Sequence, residues 1–88
     1  MVAQKVTIRN KLGLHARPAA HFVRLASQYE SDVFLAKDDV RINAKSIMGL
    51  MMLAAQQGAT LTIECHGEDE EALLAKLVKL VEDKFYEE

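Results

Sequence analysis

Two short segments hold the residues best suited to chemistry. The first, Gly13-Leu14-His15-Ala16-Arg17-Pro18, sets an imidazole two positions before a guanidinium, where a strand-like run gives way to a helix-like one. Pro18 suits the first turn of a helix, whose backbone N–H groups have no intrahelical partner. His15 then sits at the helix entrance, with free N–H groups, the positive end of the helix dipole and Arg17 converging beside it. Such a place binds anions, and a neutral imidazole nitrogen there could attack phosphorus and hold a phosphoryl group covalently. A plain loop histidine accounts for the same residues equally well, and local context does not separate the two.

The second segment is Asn43-Ala44-Lys45-Ser46-Ile47-Met48-Gly49. Ser46 follows a strand-like run and precedes an apolar one, the place of an N-cap serine whose oxygen accepts an early backbone N–H. The Glu or Gln that would complete a capping box three residues on is replaced by Gly49. Its hydroxyl is either a cap and nothing more, which the residues alone favour, or a cap that a modifying enzyme can also reach. The other reactive side chains point to no further site. Cys65 has no second cysteine for a disulfide, a redox pair or a metal site, and its parity in a strand makes it a buried thiol. His21 falls on a different side of the helix from position 15, and His66 ends a strand on the outward parity, so no metal site is expected.

These residues need a scaffold, and the patterning supplies one. Lys5–Arg9 alternates, with Val6 and Ile8 inward, and reads as a strand. After a turn at Gly13, Ala16–Ser27 carries Ala19, Val23 and Ala26 on one face of a helix. Val33–Ala36 and Val40–Ile42 read as a hairpin around Lys37-Asp38-Asp39. A short Met- and Leu-rich helix follows from Ser46 to about Ala55, stopping near Gly58, and Thr60–Cys65 is a fourth strand with Leu61, Ile63 and Cys65 inward. Beyond Gly67, Leu73, Leu74, Leu77, Val78, Val81 and Phe85 recur at three and four. Four acids, Glu68–Glu71, fall in that helix's first turn and Lys84 in its last. The order is βαββαβα: an α+β open-faced sandwich in one domain spanning residues 1–88, a four-stranded antiparallel sheet with three helices on one face.

Composition narrows the function. Eighty-eight residues, half of them apolar, make one core, with no apolar run long enough for a membrane span and no signal-peptide layout at the start. The net charge of -2 hides a division, +4 over residues 1–50 and -6 over residues 51–88. Arg17, His21 and Arg24 recur at four and three on one helix face, with Lys45 before the second helix, a basic surface suited to acidic partners. A helix of about ten residues cannot bury Met48, Leu50, Met51, Met52 and Leu53 together, so some of them face solvent. No tryptophan, few outward aromatics and an acidic second half disfavour RNA. No acid–base partners for His15 can be read that would turn over a small molecule.

Gly-Leu-His-Ala-Arg-Pro at 13–18 and Lys-Ser-Ile-Met-Gly-Leu-Met at 45–51, at this separation and in this element order, resemble the two signature segments of the histidine-containing phosphocarrier (HPr) family. That family belongs to the bacterial phosphoenolpyruvate-dependent phosphotransferase system, and the resemblance covers essentially the whole chain. It implies a carrier rather than a stand-alone enzyme. His15 would accept a phosphoryl group from phospho-Enzyme I and pass it to a histidine of an Enzyme IIA domain, with Arg17 stabilising the group. Ser46 would be the regulatory serine of an HPr kinase/phosphorylase. The docking patch would include Ala20, Arg24, Lys45, Ile47, Met48 and Met51. A cytoplasmic monomer is implied, serving sugar transport or carbon catabolite regulation, with a transcriptional regulator as a further partner and with no cofactor, metal, nucleic acid or membrane. A regulatory paralogue carries glutamine in place of the histidine, which His15 argues against. The Met51–Ala55 run and Asp83-Lys84-Phe85 look closer to nitrogen-type regulatory systems, so a purely regulatory HPr-like protein of that type is one alternative and a small α+β binding module another.

Overall fold

A computed structural model describes residues 1–87. The alternating runs become β1 (Val2–Thr7), β2 (Asp32–Lys37), β3 (Val40–Asn43) and β4 (Thr60–His66), and the amphipathic ones become α1 (Ala16–Ala26), α2 (Ile47–Met52) and α3 (Glu70–Glu82). The strands form one antiparallel sheet in the order β1-β4-β2-β3. The architecture is the open-faced βαββαβα sandwich expected from the pattern. Register puts Val6 opposite Leu61, and Val33 and Leu35 opposite Cys65 and Ile63, so one parity of every long strand enters the core. Phe22, Ala19 and Ala26 of α1, Leu50 of α2, and Leu73, Leu77, Leu80 and Val81 of α3 close over them. Each large apolar side chain removed from water there contributes about 1.5–3 kcal/mol. On the other face Arg41 lies 3.9 Å above the Phe34 ring and pairs with Glu64 at 3.1 Å. That guanidinium holds the Glu64 carboxyl below its ordinary range.

Several boundaries differ from the sequence reading, and at the starts of β1 and α3 a tertiary partner overrides local pattern. β1 begins at Val2 rather than Lys5, since the seven-residue β4 offers partners as far as Cys65; Ile8, past the strand, is nonetheless buried. α2 has only six residues and ends at Met52, with Ala54 in the left-handed region (φ 52°) well before Gly58. The last helix stops at Glu82, so Lys84 is not in its final turn, and Glu68 and Asp69 precede its first. The Asp69 carboxylate accepts instead from the backbone N–H groups of Glu30 and Ser31, both at 3.0 Å, and from the Ser31 hydroxyl. The hydroxyl first, and then the backbone donors, hold the Asp69 carboxyl below its ordinary range.

Beyond α3 the chain turns sharply. Lys84, Phe85 and Tyr86 adopt φ of 58°, 56° and 59°, three successive non-glycine residues in the left-handed region. Such a conformation costs roughly 1–2 kcal/mol per residue. Phe85 offsets part of this by burying its ring in the core, and Tyr86 leans on the His21 ring at 5.7 Å. The turn sends the side chain of Glu87 back over the entrance of α1.

Candidate functional site

His15 is the N-cap residue of α1, with extended backbone (φ -85°, ψ -171°) and no side chain capping the helix. Ala19 donates the first intrahelical bond to the His15 carbonyl at 3.0 Å. The N–H groups of Ala16 and Arg17 precede that bond and Pro18 has none to offer, so the helix entrance presents donors and positive potential beside the imidazole. Pro18 and Ala19 are buried while Arg17 is exposed, which fixes the first turn to the core and leaves the guanidinium in solvent.

The loop before His15 is held by backbone. Leu14 N–H donates to the Ala55 carbonyl at 2.8 Å, Gly58 N–H to the Ile8 carbonyl at 2.8 Å, and Ile8 N–H to the Ala59 carbonyl at 2.9 Å. Gly13 has φ 69°, and a β-carbon there would stand 2.5 Å from the Ala55 carbonyl oxygen, so only glycine fits. Buried Asn10 donates from Nδ2 to the Gly13 carbonyl at 2.7 Å and to Oε1 of Glu87 at 2.8 Å. Both neighbours are acceptors, which orients the amide group unambiguously. The other carboxylate oxygen of Glu87 accepts from His15 Nε2–H at 2.8 Å. Sequence reasoning placed His15 correctly at the helix entrance and missed both Asn10 and Glu87. Asn10 carried a signal, a polar residue ending a strand before a turn; Glu87, 72 positions from its partner, carried none.

The remaining candidates divide between the two ends of the α1–α2 pair. Ser46 is the N-cap of α2, its Oγ accepting from Gly49 N–H at 3.2 Å. At the capping-box position, Gly49, a β-carbon would stand 3.1 Å from the Asn43 carbonyl oxygen, a tight contact that a larger residue would have to relieve. Lys45 Nζ donates to the Tyr29 carbonyl, beyond the C-terminal end of α1, at 2.9 Å. Its ammonium group thus ties the entrance of α2 to the end of α1 and keeps its charge and two further donors at that end. The exit of α2, by contrast, meets the loop before α1 through Ala55. The two helices therefore run in opposite senses, and Ser46 lies about one α2 length, roughly 9 Å or more, from the His15 end. A shallow groove beside His15 is lined by Leu12, Leu14, Met51, Ala54 and Gln56. Met51 joins the His15 side, whereas Ile47 and Met48 belong to the Ser46 end. Exposure along α2 is pronounced, with Met48 at 72% and Met52 at 76%. On α1, Arg24 is exposed and Ala20 half-buried. Cys65 is fully buried, and burial pushes its thiol up to about 11. No cluster of metal-ligating side chains occurs among the described residues, and no helix among them is long and apolar enough to cross a membrane.

Comparison with known proteins aligns with this geometry. A family model described as the PTS HPr component phosphorylation site matches residues 2–83, ending before the turn that carries Glu87. The chain is 54% identical over 84 residues to the HPr-like protein Crh of Bacillus subtilis, covering 96% of this chain and 99% of that one. It is 46% identical over 88 residues, all of both chains, to the phosphocarrier protein HPr of Treponema pallidum. The crystal structure of an HPr from Thermoanaerobacter tengcongensis superposes with a TM-score of 0.96 at 48% identity, covering 100% and 99% of the two chains. An HPr of the same organism has also been solved as a dimer, with a TM-score of 0.77 at 47% identity and coverage of 97% and 98%.

Proposed function

The chain belongs to the HPr family of phosphotransferase-system phosphocarriers, and on that premise we propose that it carries phosphoryl groups on His15, received from phospho-Enzyme I and delivered to a histidine of an Enzyme IIA domain. The observation that carries this reading is an imidazole at the uncapped entrance of α1, half exposed, with one ring nitrogen engaged and the other without a partner among the described residues. The N–H groups of the first turn and Arg17 supply positive potential where the incoming group would sit. They hold it without a dedicated clamp, as a reversible carrier needs. The partner completes the site, and transfer proceeds in line between two histidines, by positioning and charge stabilisation.

Arg17 and Arg24 on α1, with Ala20 between them, and the exposed Ile47, Met48 and Met51 of α2 form the surface on which partners dock. Apolar side chains would contribute area and the arginines steering. Phosphorylation of Ser46 by an HPr kinase/phosphorylase would add nearly two negative charges at the α2 N-cap, where the helix tolerates them. At a separation of roughly 9 Å or more, and with a screening length of about 8 Å at physiological salt, the charge acts on an acidic partner spanning both ends rather than on His15 itself. A purely regulatory role, like that suggested by the Crh resemblance, is the second reading; a histidine with one ring nitrogen without a partner among the described residues favours the carrier.

The test is incubation with phosphoenolpyruvate and Enzyme I, followed by mass spectrometry at neutral and acid pH. One acid-labile phosphoryl group, absent in His15→Ala, is the expected result. Labelling that survives acid or persists in His15→Ala overturns the reading.

A further inference from the structure

Resting on the carrier reading, we propose that the three methionines of α2 form a reversible oxidation site, which hydroperoxides convert to sulfoxides and which thereby withdraws the docking surface from its partners. Four methionines and one cysteine hold all the sulfur of the chain. Cys65 is fully buried in the core and closed to an oxidant. Three of the four methionines stand on one short helix, Ile47–Met52. Met48 precedes Met51 by three positions and Met52 by four, so the three thioethers are neighbours on a single face. Met48 and Met52 are as open to solvent as Met1, at 72%, 76% and 70%, and Met51 is 44% exposed. Leu50 is the buried side chain of α2, so the fold does not depend on those thioethers staying apolar.

Their position gives the modification a consequence. Met51 lines the groove beside His15 with Leu12 and Leu14, and Met48 lies at the Ser46 end, so the stripe runs along the surface on which partners dock. A thioether lone pair attacks one oxygen of hydrogen peroxide: an S–O bond forms, the O–O bond breaks, and the departing hydroxide takes the proton of the transferred oxygen and leaves as water. Sulfur gives up two electrons and the peroxide is reduced. The product is polar and chiral, with an oxygen that water satisfies on the free chain and that an apolar partner surface does not. His15 and Arg17 are untouched, so the change falls on association rather than on the chemistry of the imidazole. Methionine sulfoxide reductases return the thioether, one enzyme for each sulfoxide epimer, and the exposure that admits peroxide admits them as well.

The test treats the folded chain with hydrogen peroxide and follows it by peptide mass spectrometry, circular dichroism and the Enzyme I reaction with this chain as the varied substrate. Met48 and Met52 should each gain one oxygen at the rate of Met1, Met51 more slowly and Cys65 not at all, with the thermal midpoint kept within about 4 °C. KM for the chain should rise about tenfold with kcat nearly unchanged, and the two reductases with dithiothreitol should restore it. In the triple variant Met48→Leu, Met51→Leu, Met52→Leu, whatever its own starting KM, the same treatment should oxidise Met1 and leave KM where it began. Methionines of α2 that react about ten times more slowly than Met1, a KM indifferent to their oxidation, an equal loss in the triple variant, or an oxidised chain that has unfolded each overturn the proposal. If Enzyme I labels neither the treated nor the untreated chain, the carrier reading fails and the docking consequence with it, while the oxidation site is decided by the mass spectra and by reversal with the reductases.

Discussion

Replacing Gly13 by alanine should damage the loop that presents His15, and Gly58→Ala supplies the internal control. Both glycines have positive φ, 69° and 92°, so alanine at either carries a left-handed backbone penalty of roughly 1–2 kcal/mol. Reduced freedom of the unfolded chain returns about 0.4–1 kcal/mol at each. The surroundings then differ. At Gly58 nothing lies within 4 Å of the place a β-carbon would take, so the net cost should stay near ~1 kcal/mol. At Gly13 the new carbon meets the Ala55 carbonyl oxygen at 2.5 Å and Gln56 Cα at 2.9 Å, both backbone atoms that no rotamer change can move. That oxygen accepts from Leu14 N–H, so moving it also forfeits a hydrogen bond of about 0.5–1.5 kcal/mol. Gly13→Ala should therefore cost about 2 kcal/mol, before any displacement of the Ala55–Gln56 backbone is counted. For a domain of this size that lowers the thermal midpoint by roughly 8–16 °C, against about 4–8 °C for Gly58→Ala. Urea unfolding at fixed pH, followed by circular dichroism, measures both. Equal destabilisation of the two variants, within about 0.5 kcal/mol, would refute the collision argument and with it the claim that backbone packing fixes the His15 loop.

Other consequences are as direct. Ser46→Ala should cost about 0.5–1 kcal/mol in urea titrations, through the lost cap on Gly49 N–H, while Ser46→Asp should cost less because aspartate also caps. Cys65, buried and with its thiol pushed up to about 11, should resist alkylation by iodoacetamide at pH 8 in the folded state and react at once in denaturant. Asp69, Glu70 and Glu64 all have carboxyls held below their ordinary range in the folded chain. The unfolded chain therefore binds more protons as pH falls through about 4.5 to 3.8, the ordinary range of these groups, and stability should drop across and below that window. Asp69→Asn should flatten that drop, as read from thermal midpoints between pH 6 and pH 3.

The architecture was legible because periodicity and burial coincide: Val6, Leu61, Ile63 and Cys65 alternate in sequence and face the core in the sheet. His15 as a helix entrance was legible from Pro18, and Ser46 as a cap from its place between a strand and an apolar run. Where β1 and α3 begin, and where Lys45 points, a distant partner decides what local pattern could not. β4 extends β1, Ser31 and Glu30 draw Asp69 out of the α3 first turn, and Tyr29 claims the Lys45 ammonium. Glu87 was invisible for the same reason carried further. Periodicity treats Phe85 as one more helical core position, and it is buried, but by a turn of the opposite hand that no residue type announces.

The sheet order has a consequence for how the protein is made. β1 precedes every other strand in the chain yet bonds only to β4 in the sheet, so Val2 waits for Cys65, and Ile8 waits for Ala59, before either has a partner. Contacts of such long sequence separation form late, because a long loop must close before they add any stabilisation. Asn10 and His15 emerge from the ribosome early, yet their surroundings are completed by Ala55 and finally by Glu87. Until those later segments are in place, the imidazole is exposed without the backbone and side-chain partners that hold its loop.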